Sequence, residues 1–305
     1  MINDSANLAQ SVRQRLLNLA RQTAQDYNRL LVRYSLERLL FRIGQSGFSD
    51  RFILKGAMLL AVWSNQQYRA TQDLDLLGLG NNSPEELVRV FREIAAASVA
   101  TPDGMIYMPE SVIADVIRED MQYEGVRVRM ESRLGNARIP LVVDVGFGDV
   151  ITPAPQAAEF PALLDTPAPT IRMYPRETVV SEKLEAMVTL GEANSRMKDF
   201  ADLWFLSRHF DFEGPLLAEA IINTFHRRQT AIPQQPSAFT ADFARLEAKQ
   251  TQWKAFMRRS RPEGMPDEFA AAVAGVAAFL EPILSHLAAG LPMPQRWLAP
   301  GPWQF

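Results

Sequence analysis

The sequence predicts an α+β protein, with a mixed sheet within residues 48–175, helices before it and a helical part after it. Three observations carry that reading. In residues 5–45, Leu16, Leu17, Leu19, Leu30, Leu31, Leu36, Leu39 and Leu40 recur at helical spacing between arginines. DLDLLG (73–78) and VRVRM (126–130) alternate polar and apolar residues as strands do, and LVVDVGF (141–147) is a short apolar run. Beyond residue 175 the apolar spacing is helical almost to the end. The expected organisation is an N-terminal helical segment at 1–47, a sheet core at 48–175 and a helical C-terminal domain at 176–305.

Taken in order, the first helical segment is expected to close at Gly44 and Gly47. FILK (52–55) is a short apolar entry, and the residues after Gly56 continue as a buried helix. DLDLLGLG runs into Gly78 and Gly80 and is stopped by NNSPEE. There Ser83 is placed to cap a helix and Pro84 to occupy its first position, with residues 85–98 forming an amphipathic helix. The two arms within 126–149 make a hairpin about Gly135-Asn136, with Asp144 in the second arm. Residues 150–175 are proline-rich and aperiodic, a connector with a short strand near Ile171–Met173.

Composition narrows the chemistry. At 305 residues, 47% hydrophobic and 22% charged, the chain can build a core of ordinary size. It has no cysteine, which excludes disulfides, thiol nucleophiles and cysteine-ligated zinc. Three histidines, His209, His226 and His286, without HExxH spacing argue against a histidine metal site. A metal here would be held by oxygen, which points to Mg²⁺ or Mn²⁺. The first residues have no apolar signal core, and no stretch is expected to approach about 18 apolar residues, so a cytoplasmic protein without a membrane part is expected. Within a net charge of −3, residues 1–60 carry nine Lys/Arg against four Asp/Glu, and residues 226–262 carry eight against two. Such patches suit solvated helix faces or contact with a polyanion, and charge by itself favours the former. Trp253 and Phe256, interleaved with Lys254, Arg258 and Arg259, suit base stacking or core packing.

The acids are the sharpest signal. Residues i and i+2 of a strand share a face, about 6.6–6.8 Å apart, so Asp73 and Asp75 project together. Asp144 lies in a neighbouring apolar strand. Three acids converging on one face repel unless a divalent cation binds them, an arrangement suited to in-line displacement at phosphorus. A partnerless carboxylate between Val143 and Val145 would be costly, and a shared cation resolves that cost. It also leaves Asp144 as a candidate to deprotonate an acceptor hydroxyl. Upstream, Gly56 beside Lys55 lets backbone N–H groups approach a phosphate. Downstream, Lys183 is placed to hold a triphosphate and Asp199 to orient a cation or a lysine, while Asp202 fits a surface ion pair between packed helices.

LKGAMLL (54–60), RATQDLDLLG (69–78), VVDVGFGD (142–149) and EKLEAMV…SRMKDFADLWFL (182–206), in that order, resemble the AbiEii/MenT group of nucleotidyltransferase toxins. The resemblance runs from about Phe52 to Leu206. It implies a polymerase-β-like nucleotidyltransferase fold with a helical C-terminal part. It also implies an NTP substrate used with Mg²⁺ and nucleotide transfer to an acceptor, in the MenT branch the 3′ end of tRNA, which blocks translation. The setting implied is a type IV-style toxin–antitoxin or phage-defence system of abortive infection, with a cognate antitoxin encoded nearby. The matched functional positions are Lys55, Asp73, Asp75, Lys183 and Asp199, with Arg69 and Thr71 in the run leading to the acids. Ala57 departs from the family, which has a second glycine after the one matching Gly56; the wider superfamily has Gly-Ser. A backbone N–H contact survives alanine, whereas a hydroxyl contact to phosphate does not. The residues alone leave two further readings open: transfer to a protein or small-molecule hydroxyl, and a non-catalytic nucleotide-binding or interaction module.

Overall fold

The computed structural model describes residues 2–64, 71–119, 123–260 and 264–305. The chain divides into two compact units, Met1–Gly148 with Gln156–Met173, and Asp149–Pro155 with Tyr174–Phe305.

The first unit opens with α1 (Ile2–Thr23) and α2 (Tyr27–Gln45). Ala9, Val12, Leu16 and Ala20 form the buried stripe of α1, three to four residues apart as one helix face requires. Asp26 caps α2 by accepting from the Arg29 N–H at 2.9 Å. The strands and helices that follow are β1 (Phe52–Lys55), α3 (Met58–Ser64), β2 (Asp73–Gly78), α4 (Pro84–Ala96), β3 (Met105–Glu119), β4 (Tyr123–Leu134), β5 (Ala137–Phe147), β6 (Gln156–Glu159) and β7 (Thr170–Met173). Ser83 caps α4, accepting from the Glu86 N–H, and Pro84 occupies its first turn.

The seven strands form one sheet in the order β3-β4-β5-β2-β1-β7-β6. The β2–β5 and β1–β7 pairs are parallel and the others antiparallel, so the sheet is mixed and the fold is α+β. Along the central strands Leu74, Leu76, Val126, Val128, Val143 and Val145 are buried. They alternate with the residues that form the site, as the two-residue period of a strand demands. Helices of residues 1–47 belong to this unit: α1 packs on α2 and β4, and α2 on β5, β7 and α4. Gly44 does not end α2. It lies within the helix, where a Cβ would stand 2.3 Å from the Thr170 carbonyl oxygen, so its role is close approach to β7. Nothing in the sequence pattern announced β3. Pro109 interrupts it and its register slips between Met108 and Ile113, both tolerated because β3 is an edge strand. β6, with all four residues exposed, is likewise a strand within the stretch expected to be a connector.

The second unit contains α5 (Arg176–Leu190), α6 (Met197–His209), β8 (Phe212–Glu213), α7 (Gly214–Arg227), α8 (Ala241–Arg245), α9 (Glu247–Ser260), α10 (Phe269–Ala289), β9 (Arg296–Trp297) and β10 (Trp303–Gln304). It is helical apart from a small sheet in the order β10-β9-β8, whose two-residue strands leave no periodic trace in sequence. Phe212, Trp297 and Trp303 gather around Phe279 of α10, with ring centroids 4.9–5.9 Å apart. At 21 residues and mean hydropathy 1.6, α10 is long and apolar enough to cross a membrane by length and composition, which corrects the expectation that no stretch comes near that. Here Phe269, Ala272, Val273, Val276, Phe279, Leu280, Ile283 and Leu284 are buried within the unit.

Candidate functional site

Four neighbouring strands place one row of charges across the sheet. Lys55 of β1 stands opposite Asp75 of β2, Asp75 opposite Asp144 of β5, and Asp144 opposite Arg127 of β4. Residues directly opposite on adjacent strands point to the same face. Asp73 shares that face two residues before Asp75. One carboxylate oxygen from each of Asp73, Asp75 and Asp144 lies within 4.8 Å of the others. Adjacent ligands of a Mg²⁺ at about 2.1 Å stand about 3.0 Å apart and opposite ones about 4.2 Å, so side-chain rotations of about 1–2 Å let the three share one ion. The donor set is all oxygen, which suits Mg²⁺ or Mn²⁺.

Local structure holds the acids in place. The Thr71 hydroxyl, expected in the nucleotide contact, donates to Asp73 Oδ1 and also to the Asp73 carbonyl at 3.3 Å. Gly56 has φ of +73°, and a Cβ there would overlap the Asp75 side chain. The demand for glycine at this turn thus comes from the acid it abuts as well as from its backbone angle. Ala57 is buried as α3 begins. Arg69 lies outside the described residues.

Asp144 is buried, and Arg127 Nε and Nη2 donate to its two oxygens, both at 2.7 Å. This corrects the expectation that a cation is needed to compensate Asp144: a guanidinium on the next strand already does so. The pairing was countable in the sequence. With Gly135-Asn136 as a two-residue turn, Leu134 faces Ala137, and stepping back along both arms brings Arg127 opposite Asp144.

In the second unit, Lys183 of α5 pairs with Asp199 at 2.6 Å and Asp202 at 2.8 Å, both on α6. Arg196 Nε lies 2.7 Å from Asp199. Asp199 is fully buried; burial opposes its ionisation, but Lys183 and Arg196 outweigh that and hold its pKa below the usual carboxylate value. Asp202 is buried too, which corrects its reading as a surface partner. Its three-residue spacing from Asp199 puts both acids on one helix face, and that was the available signal.

Part of the basic stretches is spent on ion pairs inside the units, while Arg21, Arg29, Arg227 and Arg245 stay exposed. Arg38 pairs with Glu37 at 2.9 Å and Arg42 with Asp103 at 2.7 Å, all four buried. Arg228 pairs with Glu185 at 2.7 Å and Asp149 at 3.1 Å. Trp253 and Phe256 are both buried, and the Trp253 indole N–H donates to the Asp267 carbonyl, so neither presents a face to a base. Lys254, Arg258 and Arg259 remain exposed on α9.

A mixed sheet with three carboxylates at ion-sharing distance defines a candidate divalent-cation site of the kind that serves chemistry at phosphorus. The family described as nucleotidyl transferase AbiEii toxin, Type IV TA system, matches residues 38–275, and the chain belongs to that family. No curated protein matches the chain. Among solved structures, JHP933 from Helicobacter pylori is 15% identical, covering 84% of this chain and 93% of its own, with a TM-score of 0.48. Another, described as a "putative nucleotidyltransferase from H. pylori", is 17% identical over 83% of this chain and 95% of its own, with a TM-score of 0.45.

Proposed function

We propose that this chain is a divalent-cation-dependent nucleotidyltransferase toxin that moves a nucleotide from an NTP to an acceptor hydroxyl, with the 3′ end of tRNA as acceptor. The observation that supports this reading is the convergence of Asp73, Asp75 and Asp144 on one sheet face, in a chain of the AbiEii family. Asp73 and Asp75 would hold Mg²⁺ or Mn²⁺ together with Asp144, and Thr71 would fix the Asp73 carboxylate. The cation, when bound, supplies charge neutralisation at the phosphates. Lys55, next to Asp75 in the row, is the proposed nucleotide contact of the first unit, with Gly56 and Ala57 following it in sequence and Arg69 in the run before Asp73. Lys183, held by Asp199 and Asp202, is the family-matched position of the second unit. Asp144 would accept the hydroxyl proton through the lone pairs that the Arg127 fork leaves. The acceptor oxygen bonds to the α-phosphorus and pyrophosphate leaves. The family's Type IV system implies a cognate antitoxin.

The test is incubation with labelled NTPs, Mg²⁺ and total tRNA. Label on the tRNA 3′ end is expected with the natural protein. It should be lost in Asp73→Ala and Asp75→Ala, with folding of both variants checked by circular dichroism. Label on another species would move the acceptor to a protein or small molecule. Nucleotide binding without transfer would make the chain a non-catalytic module, and near-normal transfer by either variant would refute the triad assignment.

A further inference from the structure

We infer that Arg127 is a built-in counter-cation of the carboxylate triad, one that weakens its hold on a free divalent cation. The inference rests on the cation-site reading above. Strand order places β5 between β4 and β2, so Arg127 reaches Asp144 from the side opposite Asp75. Its fork engages both Asp144 oxygens while the three carboxylates still converge within 4.8 Å. Each carboxylate oxygen has a further lone pair, so the fork and an ion on the Asp75 side can coexist. What the fork changes is charge. Three acids alone would present −3, but Arg127 and Lys55 in the same row bring the sum over these described residues to −1. A half-buried guanidinium beside a ligand repels a dication at short range in a medium far less screening than water. The triad is thereby kept folded without metal, and its cation is best drawn in with a ligand that brings its own negative charge, an NTP. Arg127 is a positioning residue in this role, acting through Asp144.

The experiment is a Mn²⁺ titration of the full chain without nucleotide, followed by electron paramagnetic resonance of free Mn²⁺. Arg127→Gln removes the charge, and Arg127→Lys keeps the charge while losing the fork. Arg127→Gln is expected to bind Mn²⁺ about tenfold more tightly than the natural protein, with Arg127→Lys within about threefold of it. Equal or weaker binding by Arg127→Gln overturns the proposal, since a purely structural arginine would lose affinity when removed. If Arg127→Gln folds only on Mn²⁺ addition, the same replacement of one cation by another is seen directly. If it stays unfolded at saturating Mn²⁺, the proposal is overturned. Asp75→Asn is the control for the site itself: should it bind Mn²⁺ as the natural protein does, the triad reading fails and this inference falls with it.

Discussion

Gly56 and Asp75 compete for one space: a Cβ built on Gly56 would lie 1.9 Å from Asp75 Oδ2 and 2.6 Å from its Cγ. The glycine precedes α3, and the aspartate stands on β2 opposite Lys55, so a strand-end turn and a candidate ligand are locked together.

Gly56→Ala should displace the Asp75 carboxylate and strain a backbone held at φ +73°. The expected cost is about 1–3 kcal/mol of stability. Nucleotide transfer and Mn²⁺ binding should fall together. Chemical denaturation paired with a Mn²⁺ titration checks this; a variant with unchanged Mn²⁺ affinity would show that Asp75 can rearrange freely.

Asp199→Asn should destabilise the second unit by about 3 kcal/mol, because it leaves Lys183 and Arg196 facing a neutral amide in a buried setting. Asp202 retains one contact to Lys183 and limits the loss. The folded pKa of Asp199 is depressed. Its contribution is therefore fully present above the unfolded value near 4 and is lost as pH falls through the lower folded value. Urea denaturation from pH 7 down to pH 3 should find a shallower acid limb in the variant. Parallel limbs in the two proteins would contradict the assignment.

Glu37 should make the first unit less stable as pH rises through neutrality. Its carboxyl is fully buried between α2 and the 160–167 segment, where Oε2 accepts from the Leu163 N–H at 2.8 Å. Burial pushes its pKa up to about 7, with Arg38 opposing that shift. A carboxyl raised in this way contributes stability that is complete below its unfolded value near 4.5 and disappears as pH climbs through about 7. The amplitude is about 3 kcal/mol. Glu37→Gln, which cannot ionise, should remove that part of the slope between pH 5 and pH 8. Melting curves across the range decide it, and an unchanged slope in the variant would place the titration elsewhere.

Local pattern went far in the first unit. Alternation in DLDLLG, the Ser83-Pro84 start and the Gly135-Asn136 turn each act over a few residues, and each corresponds to an observed element. β3 escaped because its proline and register slip erase the alternation that marks a strand. The expected divisions at 47 and 175 rest on the same local cues, whereas the compact units are defined by long-range contacts that no local cue reports.

At the site, residue order is enough to put Asp73 and Asp75 on one face, since the two-residue period of a strand leaves no alternative, and to put Asp144 in a neighbouring apolar strand. It also contained the Arg127 pairing, in the register of a two-residue turn. The folded arrangement alone puts β5 beside β2 in parallel, which brings Asp144 to Asp75 across 69 residues of chain. It also decided that Trp253 and Phe256 are core rather than surface, and that Asp202 is buried against Lys183. The physical reason is the same in each case. A helix or strand pattern states which residues share a face, but what that face meets depends on elements far away in sequence.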